Sequence, residues 1–367
     1  MTNPVLSDSF HVPTGYFLSH SVGCFPKTTR ETLETQFLEP WSNGRNWSDW
    51  MSVVDRFRAG IGNLIDASHN TICPQPTVSS ALTKIIHALP KRESKTEILL
   101  SRHDFPTIGF VLKKAEQAGY KLRFIEGDPW SLDSWERAIG PQTAIVHVTH
   151  ALSVTSHRLP VQHICSLARA DDAVSIVDIA QSLIALPVSV TDWGADFAIG
   201  TGVKFLCGGP GACFLYVSPA RMDDCTPVDV GWFSHEDPFE MDIEQFRYAP
   251  DAMRFFGGTP SPAPLSTANA AIELWTHIQL SALQRNIQNN IDRIISASPE
   301  SWLRSPIDRD KRGATVCLSP PERNRFGQAA NDANLHFDER ETGFRFSLHG
   351  YTSDVDVRTL IDVIQSQ

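Results

Sequence analysis

Between residues 97 and 218 short apolar runs alternate with longer amphipathic ones. "EILLS" (97–101), "KLRFIE" (121–126), "TAIVHVTH" (143–150) and "AVSIVDIA" (173–180) have the length and apolar content of strands. "ADFAIGTG" and "ACFLYVS" add two more. Between them, "TIGFVLKKAEQAG" (107–119) predicts a helix ending at Gly119. "SLDSWERAIG" (131–140) predicts a short helix capped by Ser131, and "PVQHICSLARADD" (160–172) a helix with proline at its start. This alternation predicts an α/β fold whose mostly parallel sheet carries helices on both faces. Upstream, "CPQPTVSSALTKIIHAL" (73–89) reads as an amphipathic helix opened by proline and small polar residues.

After residue 250 the texture changes. Residues 261–298 predict a long helical stretch broken once, and "TVCLSP" and "GFRFSLHG" predict strands of a smaller α+β unit. The first 50 residues carry little sheet pattern and are expected to wrap the surface or a partner subunit. The expected organisation is an N-terminal segment (1–50), a large domain (51–250) and a small C-terminal domain (251–367).

Composition narrows the function. The 367 residues carry a formal net charge of −10, which argues against a general nucleic-acid binder. The seven cysteines are scattered and never form CxxC, a pattern of free thiols in a reducing compartment. The first residues lack the basic and apolar regions of a signal peptide, and no run is long enough to cross a bilayer. The expectation is a cytoplasmic protein without a membrane partner.

Candidate chemistry centres on "GTGVKFLCGGPG" (200–211), where Lys204 is the one charge among small and apolar residues. Apolar surroundings favour the neutral, nucleophilic amine. Asp178 closes an apolar strand, at the sheet edge where α/β folds bind ligands. A carboxylate there needs a cationic partner, and the pyridinium of pyridoxal phosphate is one. The helix start near residue 77 suits a phosphate, with Gln75 and Thr77 adding side-chain hydrogen bonds. Taken singly, these are also a loop lysine, a turn aspartate and an ordinary helix cap. Their joint order, with aromatic Phe105 after a strand, is the more informative signal. His147 and His150 read as core or cofactor contacts rather than a metal pair, since no cysteine or acid completes a ligand set. Cys207 lies inside the lysine loop, an unsuitable place for a mobile nucleophile.

These residues resemble the fold type I pyridoxal-phosphate enzymes, in the class V aminotransferase branch, and most closely the kynureninases. The resemblance covers nearly the whole chain. It runs through "YFLSHSVGCFP" (16–26), "HDFPT" (103–107), "THALSVTS" (149–156), "DIAQ" (178–181), the lysine segment 192–217, "VGWFSHEDPFEMD" (230–242), "MRFFGGTPSPAPL" (253–265) and "GFRFSLHGYTSDVDV" (343–357). It implies a seven-stranded, mostly parallel sheet with a small α+β domain, and a homodimer with shared active sites. It implies that Lys204 forms the Schiff base and moves protons, that Asp178 pairs with the ring nitrogen and that Phe105 stacks on the ring. Gln181 also falls among the cofactor contacts. Gln75, Thr77 and Thr201 would hold the phosphate, with Gly258 and Thr259 reaching it from a neighbouring subunit. Arg345 would take the substrate carboxylate, and Trp232, His20 and Ser21 would line the substrate pocket. No metal is implied.

The chain also departs from the family pattern. Val203 stands where kynureninases have a tyrosine before the lysine, Gln181 where they have histidine, and Ile108 where they have aspartate. Leu152 and Ser153 replace an asparagine and a tyrosine. The expected function is cleavage of an α-amino acid side chain between Cβ and Cγ, through an external aldimine. The alternatives are an aminotransferase or another lyase or oxidative enzyme of a specialised pathway, and a non-catalytic binding protein of the same fold.

Overall fold

The computed structural model describes residues 4–367; the first three residues of the expected N-terminal segment lie outside it. A seven-stranded sheet is built from β1 (Ile72–Gln75), β2 (Glu97–Leu100), β3 (Lys121–Phe124), β4 (Thr143–Thr149), β5 (Val174–Asp178), β6 (Phe197–Thr201) and β7 (Cys213–Val217). The spatial order is β1-β7-β6-β5-β4-β2-β3. β7 runs antiparallel to both its neighbours, and the remaining pairs are parallel. Val146, Val148, Ile176, Val177, Phe197 and Ile199 are wholly buried or nearly so, as strands covered on both faces require. The helices Val78–Ala88 and Val161–Ala170 pack against β6–β7 and β4–β5 respectively.

The expected helices form, with three local differences. The helix Leu132–Ala138 starts after Ser131, but that side chain makes no capping bond; the Ser131 amide instead closes a turn onto the Asp128 carbonyl at 3.0 Å. The segment 107–119 is α-helical from Pro106 to Lys114 and tightens to a 3-10 turn before Gly119, whose φ of 92° ends it. Residues 73–75, expected in a helix, belong to β1. Pro74 is tolerated there because β1 is an edge strand, and the helix begins only after Thr77. The long C-terminal stretch is two helices, Pro262–Thr276 and Leu280–Ala297.

The smaller sheet has the order β8-β10-β9, with β8 (Thr315–Leu318), β9 (Asp338–Arg340) and β10 (Gly343–Ser347). The N-terminal segment runs onto it. The Phe17 amide donates to His336, and the Ser347 amide donates to the Phe17 carbonyl, both at 2.9 Å. Among the described residues no helix is long and apolar enough to cross a membrane.

Candidate active site

Strand direction assembles the site. β4, β5 and β6 run parallel, so Thr149, Asp178 and Thr201 all arrive at one edge of the sheet. The antiparallel β7 starts at that edge with Cys213, and β1 ends there with Gln75. Thr149 pairs with Asp178 in the ladder, and Cys213 pairs with both Thr201 and Gln75. This edge of an α/β sheet is the usual ligand crevice.

Lys204 follows β6 in a loop pinned at several points. Gly202 donates to Ala212 at 2.8 Å, Gly208 to Gly202 at 2.7 Å, and Gly23 of the N-terminal segment to Val203 at 2.7 Å. The glycines serve the chain's own crossing. A Cβ on Gly202 would lie 2.9 Å from the Ala212 oxygen, and one on Gly208 would lie 3.0 Å from Ala268. The Lys204 amine has no hydrogen-bond partner among the described residues and lies 5.4 Å from the centre of the Phe105 ring. Burial lowers its pKa below the ordinary lysine value, against the pull of Asp178 and with help from Arg345. Phe105 is half exposed and stands at the start of the helix Pro106–Lys114.

Asp178 ends β5 and is buried. One carboxylate oxygen accepts the Ala180 amide at 2.8 Å, and the other has no hydrogen-bond partner among the described residues. Burial raises its pKa, while His147 and Lys204 pull it down. Thr201 receives the Val203 amide at 3.4 Å. The buried Cys213 thiol is raised above its usual pKa by desolvation, with Thr201 and the Val78 amide pulling the other way. The first turn of the helix Val78–Ala88 therefore faces this cluster. Thr77 caps that helix, accepting the Ser80 amide at 3.0 Å.

The N-terminal segment and the small sheet close the other side. The Gln181 amide donates to the His20 carbonyl at 3.0 Å. His20 Nε2 lies 3.0 Å from Asp338 Oδ1, its Nδ1 is buried without a partner, and burial lowers its pKa against the effect of Asp338. Arg345 on β10 donates from Nε to Asp338 Oδ1 at 2.7 Å, from Nη2 to Asp338 Oδ2, and from Nη1 to the Ser153 carbonyl at 2.6 Å. Asp338 is held well below the usual carboxylate range by its bonds to His20 and Arg345, although its burial opposes this. Ser21 is exposed, its amide closing a turn onto Leu18 at 2.8 Å.

The remaining expected residues gather elsewhere. Gln75 is turned away, donating to the Phe255 carbonyl at 3.1 Å and leaving its buried Oε1 unpaired. With Ser80, Lys84, Gly258 and Thr259 it lines a separate cavity of ≈ 250 Å³. Trp232 donates to Thr259 at 3.3 Å and stacks edge-on with Trp47, Phe233 and Phe239.

Sequence reasoning did not single out Asp338, Asp104 or Cys213, and it left His147 as a core or cofactor contact. Asp338 lies in the charged run 338–341, to which the sequence attaches no role. Asp104 precedes Phe105 in "HDFPT". His147 carried no assigned partner, and Cys213 looked like strand filler. His147 and His150 do not act together: His150 Nε2 accepts from Arg158 at 3.1 Å, and no metal-binding cluster occurs among the described residues.

The donor set fits pyridoxal phosphate. It offers an amine without a bond, a carboxylate oxygen without a bond, an aromatic face beside the amine and a helix start near Thr201.

Comparison with known proteins agrees. The aminotransferase class-V family model matches residues 40–318. The kynureninase of Deinococcus radiodurans is 30% identical over 322 residues, 83% of this chain and 78% of that protein. The kynureninase of Pseudomonas fluorescens is 29% identical over 370 residues, 95% and 87% of the two chains. A cysteine desulfurase from Thermococcus onnurineus NA1 superposes with a TM-score of 0.84 at 21% identity, covering 96% of this chain and 94% of that one. The cystine C-S lyase C-DES, in complex with cysteine persulfide, gives a TM-score of 0.85 at 19% identity, covering 96% and 98%. At those identities the structural likeness speaks for the fold alone. The chain belongs to the aminotransferase class-V family of fold type I pyridoxal-phosphate enzymes, and its cofactor is pyridoxal 5′-phosphate.

Proposed function

We propose that the protein acts on an α-amino acid and cleaves its side chain hydrolytically between Cβ and Cγ, as a kynureninase does. The observation that carries the amino-acid reading is the unbonded, desolvated Lys204 amine, with Asp178 and Arg345 both near enough to shift its pKa. The two kynureninase relatives support the choice of reaction.

In this reading Lys204 would hold the cofactor through Nζ, Asp178 would be the partner of its ring nitrogen, and Phe105 would pack against the ring. Thr77, Thr201 and the first amides of the helix Val78–Ala88 hold the phosphate. When bound, pyridoxal phosphate supplies an electron sink for charge developing at the substrate's α-carbon. Arg345 orients the substrate carboxylate. The Lys204 amine, whose burial lowers its pKa below the ordinary lysine value, would take the substrate's α-proton. Asp178 would favour a proton at the ring nitrogen. His20 and Ser21 border the substrate side.

Val203 favours a second reading. It offers no hydroxyl beside Lys204, and Gln181 is engaged by the His20 carbonyl, so polar help for the late steps of side-chain cleavage is reduced. An aminotransferase or a lyase needs less of it. A cysteine nucleophile is a poor fit, because burial raises the Cys207 thiol well above its usual pKa.

Gln75, Gly258, Thr259 and Trp232 complete the phosphate and substrate sites across a homodimer. Gln75, Gly258 and Thr259 line a cavity that Lys204 does not line; in this reading the partner's site uses it. The boundaries near residues 50 and 250 are proposed as domain limits, and a reducing cytoplasm as the location, consistent with seven free, buried cysteines.

The purified protein is expected to absorb visibly, to be bleached by borohydride, and to lose both properties in Lys204→Ala. Incubation with kynurenine is expected to release anthranilate and alanine. Conversion of the cofactor to its amine by other amino acids, without anthranilate, would select the second reading.

A further inference from the structure

His147 lies in the middle of β4 and has no accessible surface. An imidazole placed between Val146 and Val148 costs stability unless both nitrogens are used. Nδ1 lies 3.2 Å from Asp104 Oδ2, while Nε2 is buried with no partner. Asp104 is itself fully engaged. Its Oδ1 accepts the Thr149 hydroxyl at 2.7 Å, and its Oδ2 also accepts the Ser101 amide at 2.9 Å. A carboxylate so supplied with donors makes Nδ1 of His147 a donor too. That fixes the ring orientation and leaves Nε2 as the variable atom.

The ladder says what Nε2 serves. Thr149 is the ladder partner of Asp178, and His147 precedes Thr149 by two residues, on the same face of the sheet. His147 is thus the diagonal neighbour of Asp178, within reach of a long side chain. The two groups perturb each other: burial disfavours charge on both, yet each raises the charged fraction of the other, and Asp104 holds the His147 pKa above the ordinary value. The titratable groups around the imidazole are Asp104 from the loop after β2 and Asp178 from β5. Lys204 lies beyond Asp178. His147 and Lys204 are the two basic groups that bear on Asp178, and Lys204 is the one the cofactor would engage.

We propose that Asp104 and His147 form a buried pair that positions Asp178 and keeps its carboxylate ionised toward the cofactor's ring nitrogen, which makes His147 a positioning residue for cofactor binding. The inference rests on the reading of Asp178 as the ring partner. It adds a residue pair that acts on the cofactor only through Asp178.

The test measures the dissociation constant of pyridoxal phosphate from titrated apoprotein, the pH midpoint of the visible band of the holoprotein, and the apoprotein melting temperature. His147→Leu is expected to weaken cofactor binding by about ten- to hundredfold, the equivalent of a change of about one to two units in the Asp178 pKa. It is also expected to raise the pH midpoint, since removing a positive charge near the Lys204 link favours protonation there. His147→Gln, which keeps an N–H donor near the Nε2 position but not the charge, is expected to restore part of the affinity. Should His147→Leu fail to fold, Asp104→Asn is expected to shift both cofactor quantities in the same direction by a smaller amount. Unchanged affinity and midpoint in the folded His147 and Asp104 variants, with both altered in Asp178→Asn, would overturn the proposal alone. Unchanged values in Asp178→Asn would overturn the ring-partner reading and the proposal with it. Loss of affinity in His147→Gln equal to that in His147→Leu, with matching falls in apoprotein melting temperature, would reduce His147 to a core residue.

Discussion

Asp338 grips Arg345 by both oxygens, with Nε at 2.7 Å from Oδ1 and Nη2 bonded to Oδ2. The side chain expected to receive the substrate carboxylate already carries one. Arg345 also donates to the Ser153 carbonyl at 2.6 Å, so its fork is fixed in direction before substrate arrives. Five N–H groups are available on a guanidinium, and these three bonds leave donors for a second carboxylate. Asp338→Asn is expected to raise KM for the amino acid about tenfold or more while changing kcat less, because the loss falls on substrate orientation. Asp338→Ala is expected to destabilise the fold by up to about 3 kcal/mol, since it strands a buried guanidinium. Steady-state kinetics and thermal melts check the two effects separately.

Stability is expected to fall as pH drops below about 6.5, with His150 a main contributor. His150 is buried, accepts the Arg158 Nε–H at its own Nε2, and is pushed down to about 3 by burial and then by Arg158. Its folded pKa lies below its unfolded one, so the unfolded chain binds the extra proton between those values. Stability is therefore complete above the unfolded pKa and declines toward the folded one. The expected slope is about 1.4 kcal/mol per pH unit for each such histidine. His349, pushed down to about 4 by burial, adds to it. Denaturant melts of wild type and His150→Gln between neutral pH and pH 5 should converge as pH falls. Parallel curves would remove His150 from the account.

The strands and helices of the large sheet were legible because each is a contiguous apolar or amphipathic run. So was the unusual setting of Lys204, one charge among small residues, which the structure buries. β1 was hidden because Pro74 reads as a helix opener, and only its position at the sheet edge makes it a strand. Asp338 was hidden for a different reason. No role attaches to its charged run in the sequence, and only the pairing of β9 with β10 sets it against Arg345. His147 lacked an assigned partner because Asp104 is remote in sequence, and a parallel ladder brings them together.

Gly23 marks where the N-terminal segment meets the lysine loop. A Cβ there would lie 2.1 Å from the Lys204 carbonyl oxygen and 2.7 Å from the Cys207 sulfur. Neither neighbour has room to give, because Cys207 is buried and itself holds a φ of 63°. Gly23→Ala is expected to push the loop outward, costing about 1–3 kcal/mol of stability and weakening cofactor retention. Melting temperature and the visible absorbance after dialysis measure the two. A fully coloured variant with wild-type stability would show that the loop yields freely.

The dimer reading makes a sharp demand on one surface. Phe239, Met241, Ile243 and Phe246 are 52%, 70%, 98% and 45% exposed, close beside Trp232 and its cavity. Single exposed apolar residues are ordinary, but a contiguous set marks an interface. Trp232, which bonds Thr259, adjoins this patch, and the dimer reading assigns Trp232, Gly258 and Thr259 to the partner's site. A second copy that covers the patch would bring those residues to its Lys204. Burying one isoleucine contributes about 1.5–3 kcal/mol, and a two-fold interface counts it twice. Ile243→Asp is therefore expected to shift sedimentation toward monomer at low micromolar concentration. The same variant should lose cofactor affinity, although Ile243 touches none of the residues around Lys204. A variant that separates the subunits yet keeps its cofactor would mean that each chain holds the phosphate unaided. That outcome would return Gln75, Gly258 and Thr259 to structural roles.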